Sequence, residues 1–399
     1  MKKLVALLVM AAMLLCMFAG CSSSSNQAEP AVSTEAGDAT GSSESGNNTA
    51  GDGPVVYNEG DPLKIAYVGW GFANETSLMY LKEFDLISSV FNVEYELSDA
   101  WATSASAEDV VKVLPSMIEA GAQALICHSM SAKIVEICNA NKIYFSLSGE
   151  VILDEELQKM CDESPYYVGT VALGDYNGGY ANAEMMAELG CKNVAYVRTK
   201  VRTVEENRLK GSIDGLEKNG INFLGEYCGT DLAQAVRDFV ATNPDMDGLI
   251  VGNGSSGHLD TCAQTLEALG KAQDIALVSI CSPVGHENYF NSGTVNQILA
   301  GEGFEPFICS MLLINAMYGH RIDEKPFLDY IDFFPVRDAE SITEYSEYFS
   351  SESELLPVTA EQVEKDWYKP NNPDLNNAWI SNYIANDYNI ESMNEAHGK

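Results

Sequence analysis

Leu63-Lys-Ile-Ala-Tyr-Val-Gly69 is a short apolar run that stops at a glycine, and most of the chain repeats its logic. Ser77 to Phe91 has helical spacing, and Asn92 to Leu97 reads as a strand. Ser106 to Ala120 is helical and opens with Ser-Ala-Glu-Asp, a capping residue followed by acids in the first turn. Ala122 to Cys127 predicts a strand, Ala132 to Asn139 a helix, and Ile143 to Leu147 and Tyr166 to Val171 two more strands. A second series follows: helices over Tyr176 to Leu189, Thr203 to Asn219, Leu232 to Thr242 and Leu259 to Leu269, alternating with strands over Asn193 to Arg198, Asn222 to Tyr227, Gly248 to Val251 and Ile275 to Ile280. Short apolar strands alternating with amphipathic helices form parallel sheets covered on both faces. The expected class is therefore α/β, with two doubly wound parallel-sheet lobes.

In front of this body stands Met1 to Cys21, MKKLVALLVMAAMLLCMFAGC. Two lysines precede fifteen apolar residues, Leu4 to Phe18. That is shorter than the roughly twenty a membrane span needs and has the flanks of an export signal. The close, Phe18-Ala19-Gly20-Cys21, resembles the bacterial lipoprotein box, which implies cleavage before Cys21 and lipid on its thiol. Ser22 to Gly60 has no Lys or Arg and almost no large apolar side chain before Val55. Such a segment buries too little to offset its ordering entropy, so residues 21–60 read as a disordered tether. Its r.m.s. reach is roughly 35 Å.

The formal charge is −35, and it becomes −37 once residues 1–20 leave with their two lysines. That balance excludes nucleic acid and electrostatic docking to anionic lipid. Of ten cysteines, the eight beyond Cys21 show no C-x-x-C pair and several sit in apolar runs, so they read as small core residues. The five histidines lack metal-ligand spacing, Gly252 to Gly257 does not satisfy G-x-S-x-G, and Gly270-Lys271 lacks the rest of a phosphate-binding loop. No cofactor, metal or catalytic constellation is expected, and the chain does not read as an enzyme.

Ligands of doubly wound sheets bind beyond the carboxyl ends of the strands. Those positions here include Trp70-Gly-Phe72, His128-Ser129, Gly149-Glu150, Gly174-Asp175, Arg198 to Arg208 and Gly252-Asn253. Five stretches then resemble the type I periplasmic binding proteins, the ribose-binding and lac-repressor-like superfamily. Leu63 to Gly69 is similar to the first strand. Gly174-Asp175-Tyr-Asn-Gly178-Gly179-Tyr-Ala-Asn-Ala resembles the crossover helix, one residue short before the glycines. Asn193 to Val197 followed by Arg208-Leu-Lys-Gly211 resembles the second-lobe strand and R-x-x-G. Met246 to Asn253 resembles the strand ending in Asn, and Gly293-Thr-Val-Asn-Gln297 the late hinge strand. The resemblance covers residues 63–320.

The resemblance implies lobes over 61–175 with 300–325 and over 176–299, joined by a multi-strand hinge, with an extension over 326–399 packed on hinge or lobe. It implies ligand contacts from Arg208, Asn253 and Gln297, a polar hinge role for Asp175, and stacking by Trp70 and Phe72. Arg202 and Glu150 are further candidates. Bland roles remain open: Arg208 tying to a loop acid such as Glu205, Asp175 capping its helix, and Asn253 holding a turn. Three usual sugar-clamping positions differ: Cys281 and Gly254 replace acids, and Gly149-Glu150 replaces Asp-Arg. The implied function is a monomeric, lipid-anchored receptor at the outer face of the cell membrane, delivering a small polar solute, a sugar first, to an ABC permease. A nucleoside- or amino-acid-like solute, or a sensing role with a membrane kinase, stays open. No DNA-binding helices precede the lobes.

Overall fold

The computed structural model describes residues 53–69, 72, 75–98 and 106–399. The export signal, Cys21 and the tether through residue 52 lie outside the described residues, as do Trp70 and Gly71. In chain order the first lobe contains β1 (Leu63–Val68), α1 (Glu75–Val90), β2 (Val93–Leu97), α2 (Ala107–Glu119), β3 (Ala124–Cys127), α3 (Ala132–Asn141), β4 (Tyr144–Gly149), α4 (Glu155–Asp162) and β5 (Tyr167–Leu173). The second contains α5 (Asp175–Glu188), β6 (Asn193–Arg198), α6 (Thr203–Lys218), β7 (Asn222–Cys228), α7 (Leu232–Thr242), β8 (Gly248–Val251), α8 (His258–Ala268), β9 (Ala276–Ile280), α9 (Glu287–Ser292) and β10 (Gln297–Ala300). The chain then returns through α10 (Glu305–Met317), β11 (Phe327–Ile331) and β12 (Phe334–Val336).

Each sheet has six strands, in the orders β11-β5-β4-β3-β1-β2 and β12-β10-β9-β8-β6-β7. Every pairing is parallel except β10 with β12. The chain passes between the sheets three times: at Gly174, at Gly301 to Phe304, and at Asp332-Phe333. Phe327 to Phe334 alternates loosely, as a strand across the hinge would. Phe327 to Val336 supplies an edge strand to each sheet, and the alternation is loose because Leu328 and Tyr330 face solvent where a core strand would bury both faces.

The glycines of the crossover helix set the packing that positions the site. A Cβ on Gly179 would lie 1.9 Å from the Arg208 carbonyl oxygen, and one on Gly211 2.0 Å from that of Tyr176. Only glycine at both positions lets α5 and α6 meet backbone to backbone, which places Asp175 and Arg208 side by side.

α10 is buried along its whole length, which explains its all-round apolar sequence, EPFICSMLLINAM. One face lies on β3, β4 and β5. The residues beyond β12 cover the rest. They form α11 (Ala339–Phe349), α12 (Ala360–Lys365), α13 (Asn377–Asn382), a π-helical turn over Tyr383–Asp387, and α14 (Ile390–Ala396). Trp367 is fully buried against Phe304, Phe307, Trp379 and Tyr383, and the Asn315 amide donates to the Trp367 carbonyl at 2.9 Å. α11 packs on α1 of the first lobe and on α9 of the second.

The last residues of the expected tether are fastened down. The Tyr57 N–H donates to the Met317 carbonyl at 2.8 Å, the Tyr144 hydroxyl donates to the Val55 carbonyl at 3.1 Å, and His320 Nε2 lies 3.0 Å from Glu59. Val55 and Tyr57 give this stretch apolar surface that the upstream segment lacks. Seven of the eight cysteines are free and buried; Cys228 is free and exposed. Among the described residues no helix is long and apolar enough to cross a membrane.

Candidate functional site

Arg208 is the centre of the hinge. Its Nε donates to Asp175 Oδ1 at 2.7 Å, one terminal nitrogen to Glu302 Oε1 at 2.6 Å, and the other to the Gly252 carbonyl at 3.2 Å. The guanidinium also lies 5.4 Å from the centre of the Phe333 ring. Asp175, Glu302 and Phe333 belong to the first, second and third passages between the sheets, so one side chain ties all three. Burial works against the Arg208 charge, but Asp175 and Glu302 outweigh it and hold the group above its ordinary pKa. Burial pushes the Asp175 carboxyl up, against the pull of Arg208, with Glu302 and Glu205 adding to the rise.

The first-lobe wall is formed by the turns after β3 and β4. His128 is fully buried, with Nε2 3.0 Å from the Tyr67 hydroxyl. Burial, helped by Arg202, lowers its pKa to about 3, so the imidazole is neutral. The Ser129 hydroxyl donates to Glu150 at 3.5 Å. Burial pushes the Glu150 carboxyl up to about 7; Arg202 pulls against this, while Glu205 and Asp175 add to it. Arg202 and Glu205 belong to the start of α6, so the carboxyl ends of β3 and β4 face the second lobe across a short gap. Arg202 itself grips Glu205 through Nε at 3.2 Å and a terminal nitrogen at 2.7 Å.

No family model matches the chain, and no curated relative does. Solved structures do. An ABC transporter solute binding protein from Agrobacterium vitis bound with alpha-D-tagatopyranose superposes with a TM-score of 0.58 at 16% identity, covering 70% of this chain and 96% of its own. A periplasmic solute binding protein from Actinobacillus succinogenes 130z with D-allose gives 0.59 at 17%, covering 71% and 100%. One from Bacillus halodurans C-125 with myo-inositol gives 0.59 at 14%, covering 74% and 99%. The fold is that of the type I periplasmic binding proteins.

Within this type I fold the expected site residues separate. Glu150, Asp175, Arg202 and Arg208 gather where the sheets' carboxyl ends converge. Phe72 is half-buried, its ring 5.8 Å from that of Tyr67, beside the same wall. Asn253 uses its side-chain oxygen locally, accepting the Ser255 N–H at 3.0 Å, which is the turn-holding role. The bland role left open for Arg208, a structural tie to an acid, is present, but with Asp175 and Glu302, while Glu205 serves Arg202.

Gln297 is misplaced by the sequence reading. Gly293 to Gln297 is not the late strand, because Gly293 adopts a φ of +73° and ends α9. The strand begins at Gln297 instead of ending there, and Gln297 lies opposite Val278, midway along β9. It is buried, donating to Asn182 Oδ1 at 3.2 Å and accepting from Arg337 Nε at 2.9 Å. The residue that strand does carry to the hinge is Glu302, in Gly301-Glu302-Gly303. The signal was the apolar run Ile298-Leu-Ala300 followed directly by those glycines.

Proposed function

We propose that this chain is an extracytoplasmic solute receptor that captures a small polar solute, a sugar first, between its two lobes and presents the closed form to an ABC permease. The observation that carries this reading is the polar, largely buried set of groups where the carboxyl ends of the two sheets meet around one hinge. Hydrogen bonds made to a solute there are shielded from water and are worth more than at a surface. The crystallised proteins of the same fold holding tagatose, allose and inositol support a sugar as the first solute to test. Lipid on Cys21 would hold such a receptor at the membrane.

The solved proteins of this fold are binding proteins, which supports a site that holds its solute without turning it over. Closure follows from tighter binding of solute to the closed form. The test is a calorimetric and tryptophan-fluorescence screen of the folded protein against hexoses, pentoses, inositols, nucleosides and amino acids. Saturable binding of a sugar or cyclitol is the expected result. A response to nucleosides or amino acids alone would replace the solute class, and silence across the panel would overturn the receptor reading.

A further inference from the structure

We propose that the solute is an amino sugar, a polyhydroxylated ring carrying an ammonium group, and that Glu150 is the seat of that group. The proposal rests on the receptor reading above. Its starting point is a charge imbalance fixed by geometry. The described buried and half-buried ionic groups at the gap are the carboxyls of Glu150, Asp175, Glu205, Glu302 and Glu305 and the guanidinium groups of Arg202 and Arg208; Glu305 accepts the Gly303 N–H at 2.7 Å. Arg208 is taken by Asp175 and Glu302, and Arg202 by Glu205. Among the described residues Glu150 makes no ion pair, and its hydrogen-bond donor is the Ser129 hydroxyl at 3.5 Å. A carboxylate withdrawn from water without a cation or several N–H donors is costly. Its elevated pKa is the expected mark of that cost. The ordinary solution, the Asp-Arg pair of the sugar-clamping motif, is missing here because Gly149-Glu150 stands in its place. A positive charge supplied by the solute completes the set.

A second, independent feature suits hydroxyls on the same solute. Tyr196 is fully buried and its hydroxyl has no hydrogen-bond partner. The group lies at the carboxyl end of β8, 2.0 Å from where a Cβ of Gly252 would be, among Arg208, Arg198, Glu205 and Asp175. Glu205 and Asp175 are also the acids that act on Glu150. An open acid and an open hydroxyl thus border one group of side chains, a pattern that a simple alkylamine leaves half satisfied. The protein's charge of −35 further concentrates cations around it.

The experiment is calorimetry at pH 7 with D-glucosamine, D-galactosamine and D-mannosamine against D-glucose, D-galactose and D-mannose, in buffers of different ionisation enthalpy. At least one amine is expected to bind about tenfold or more tighter than its parent sugar, with net proton release as Glu150 gives up the proton it holds part of the time. Glu150→Gln is expected to abolish both the preference and the release. Parent sugars binding as tightly as the amines overturn the amino-sugar assignment and leave the receptor reading intact. An amine preference that survives Glu150→Gln overturns the role of Glu150. If the variant fails to melt cooperatively, absence of proton release in the unaltered protein decides against it. Failure of all six sugars, together with the wider panel, removes the receptor reading itself.

Discussion

The two walls of the gap use charge in opposite ways. On the second-lobe side, Arg198, Arg202 and Arg208 each grip carboxylates: Glu206 and Glu226, Glu205, and Asp175 with Glu302. On the first-lobe side stand a neutral imidazole at His128 and the carboxyl of Glu150, which feels Arg202 but makes no ion pair among the described residues. The arginines, which a sequence reader would nominate first as ligand forks, are engaged in building the hinge. The group free to answer a solute is an acid on the other wall.

The largest effect should come from breaking the arginine side. Arg208→Met leaves Asp175 and Glu302 facing each other in the hinge. It should cost about 3–5 kcal/mol in urea unfolding, towards the low end because Glu302 keeps 18% side-chain exposure. Adding Asp175→Asn and Glu302→Gln to that variant should recover much of the loss. No recovery would mean that the ring contact with Phe333, and not the ion pairs, holds the passages together.

Glu150 should behave in the opposite sense. Its folded pKa of about 7 lies above the ordinary 4.5, so between those values the folded state holds a proton that the unfolded chain has released. Stability therefore falls as pH rises through that window. Glu150→Gln removes Glu150's share of the slope and leaves that of Asp175 and Glu305, whose carboxyls burial also pushes up to about 7. It should match the unaltered protein near pH 4.5 and exceed it at pH 8 by on the order of 1–3 kcal/mol, while losing solute affinity. Equal stability of the two proteins at pH 8 would show Glu150 to be better paired than described. The smallest effect belongs to Gln297→Ala, about 1–2 kcal/mol from the polar groups of Asn182 and Arg337 left behind, with solute affinity unchanged. A loss of affinity there would mean that the Gln297, Asn182 and Arg337 network also reaches the solute.

The alternation of strands and helices was legible because each strand is a compact apolar run and each helix buries one stripe. α4 was missed because its sequence, EELQKMCD, buries only Cys161. Late strands were harder. β10 is four residues long, and reading it early turned Gln297 into a cleft residue and hid Glu302. β11 exposes Leu328 and Tyr330, so it showed only as a loose alternation from Phe327 and not as a core strand. At the site, the sequence indicated which turns to inspect but not which partner each charge would choose. Arg208 ignores Glu205, three residues before it, for acids 33 and 94 positions away, because α5 and the second passage bring those closer. Such choices depend on packing between distant glycines and leave no local trace.

The returning chain has a consequence for the order in which the molecule can assemble. The second lobe is drawn almost wholly from one continuous stretch, α5 to β10, and lacks only the three-residue edge strand β12. The first lobe is split: β1 to β5 are made early, but the helix that covers them, the strand that closes their edge and the aromatic cap around Trp367 come after residue 304. During synthesis the nested lobe can finish while the outer one still presents a bare sheet face. The late segments also close the longest loops and add contacts slowly. The outer lobe thus depends on segments made after the nested lobe, and a truncation within α11 to α14 would leave it with an unsealed core.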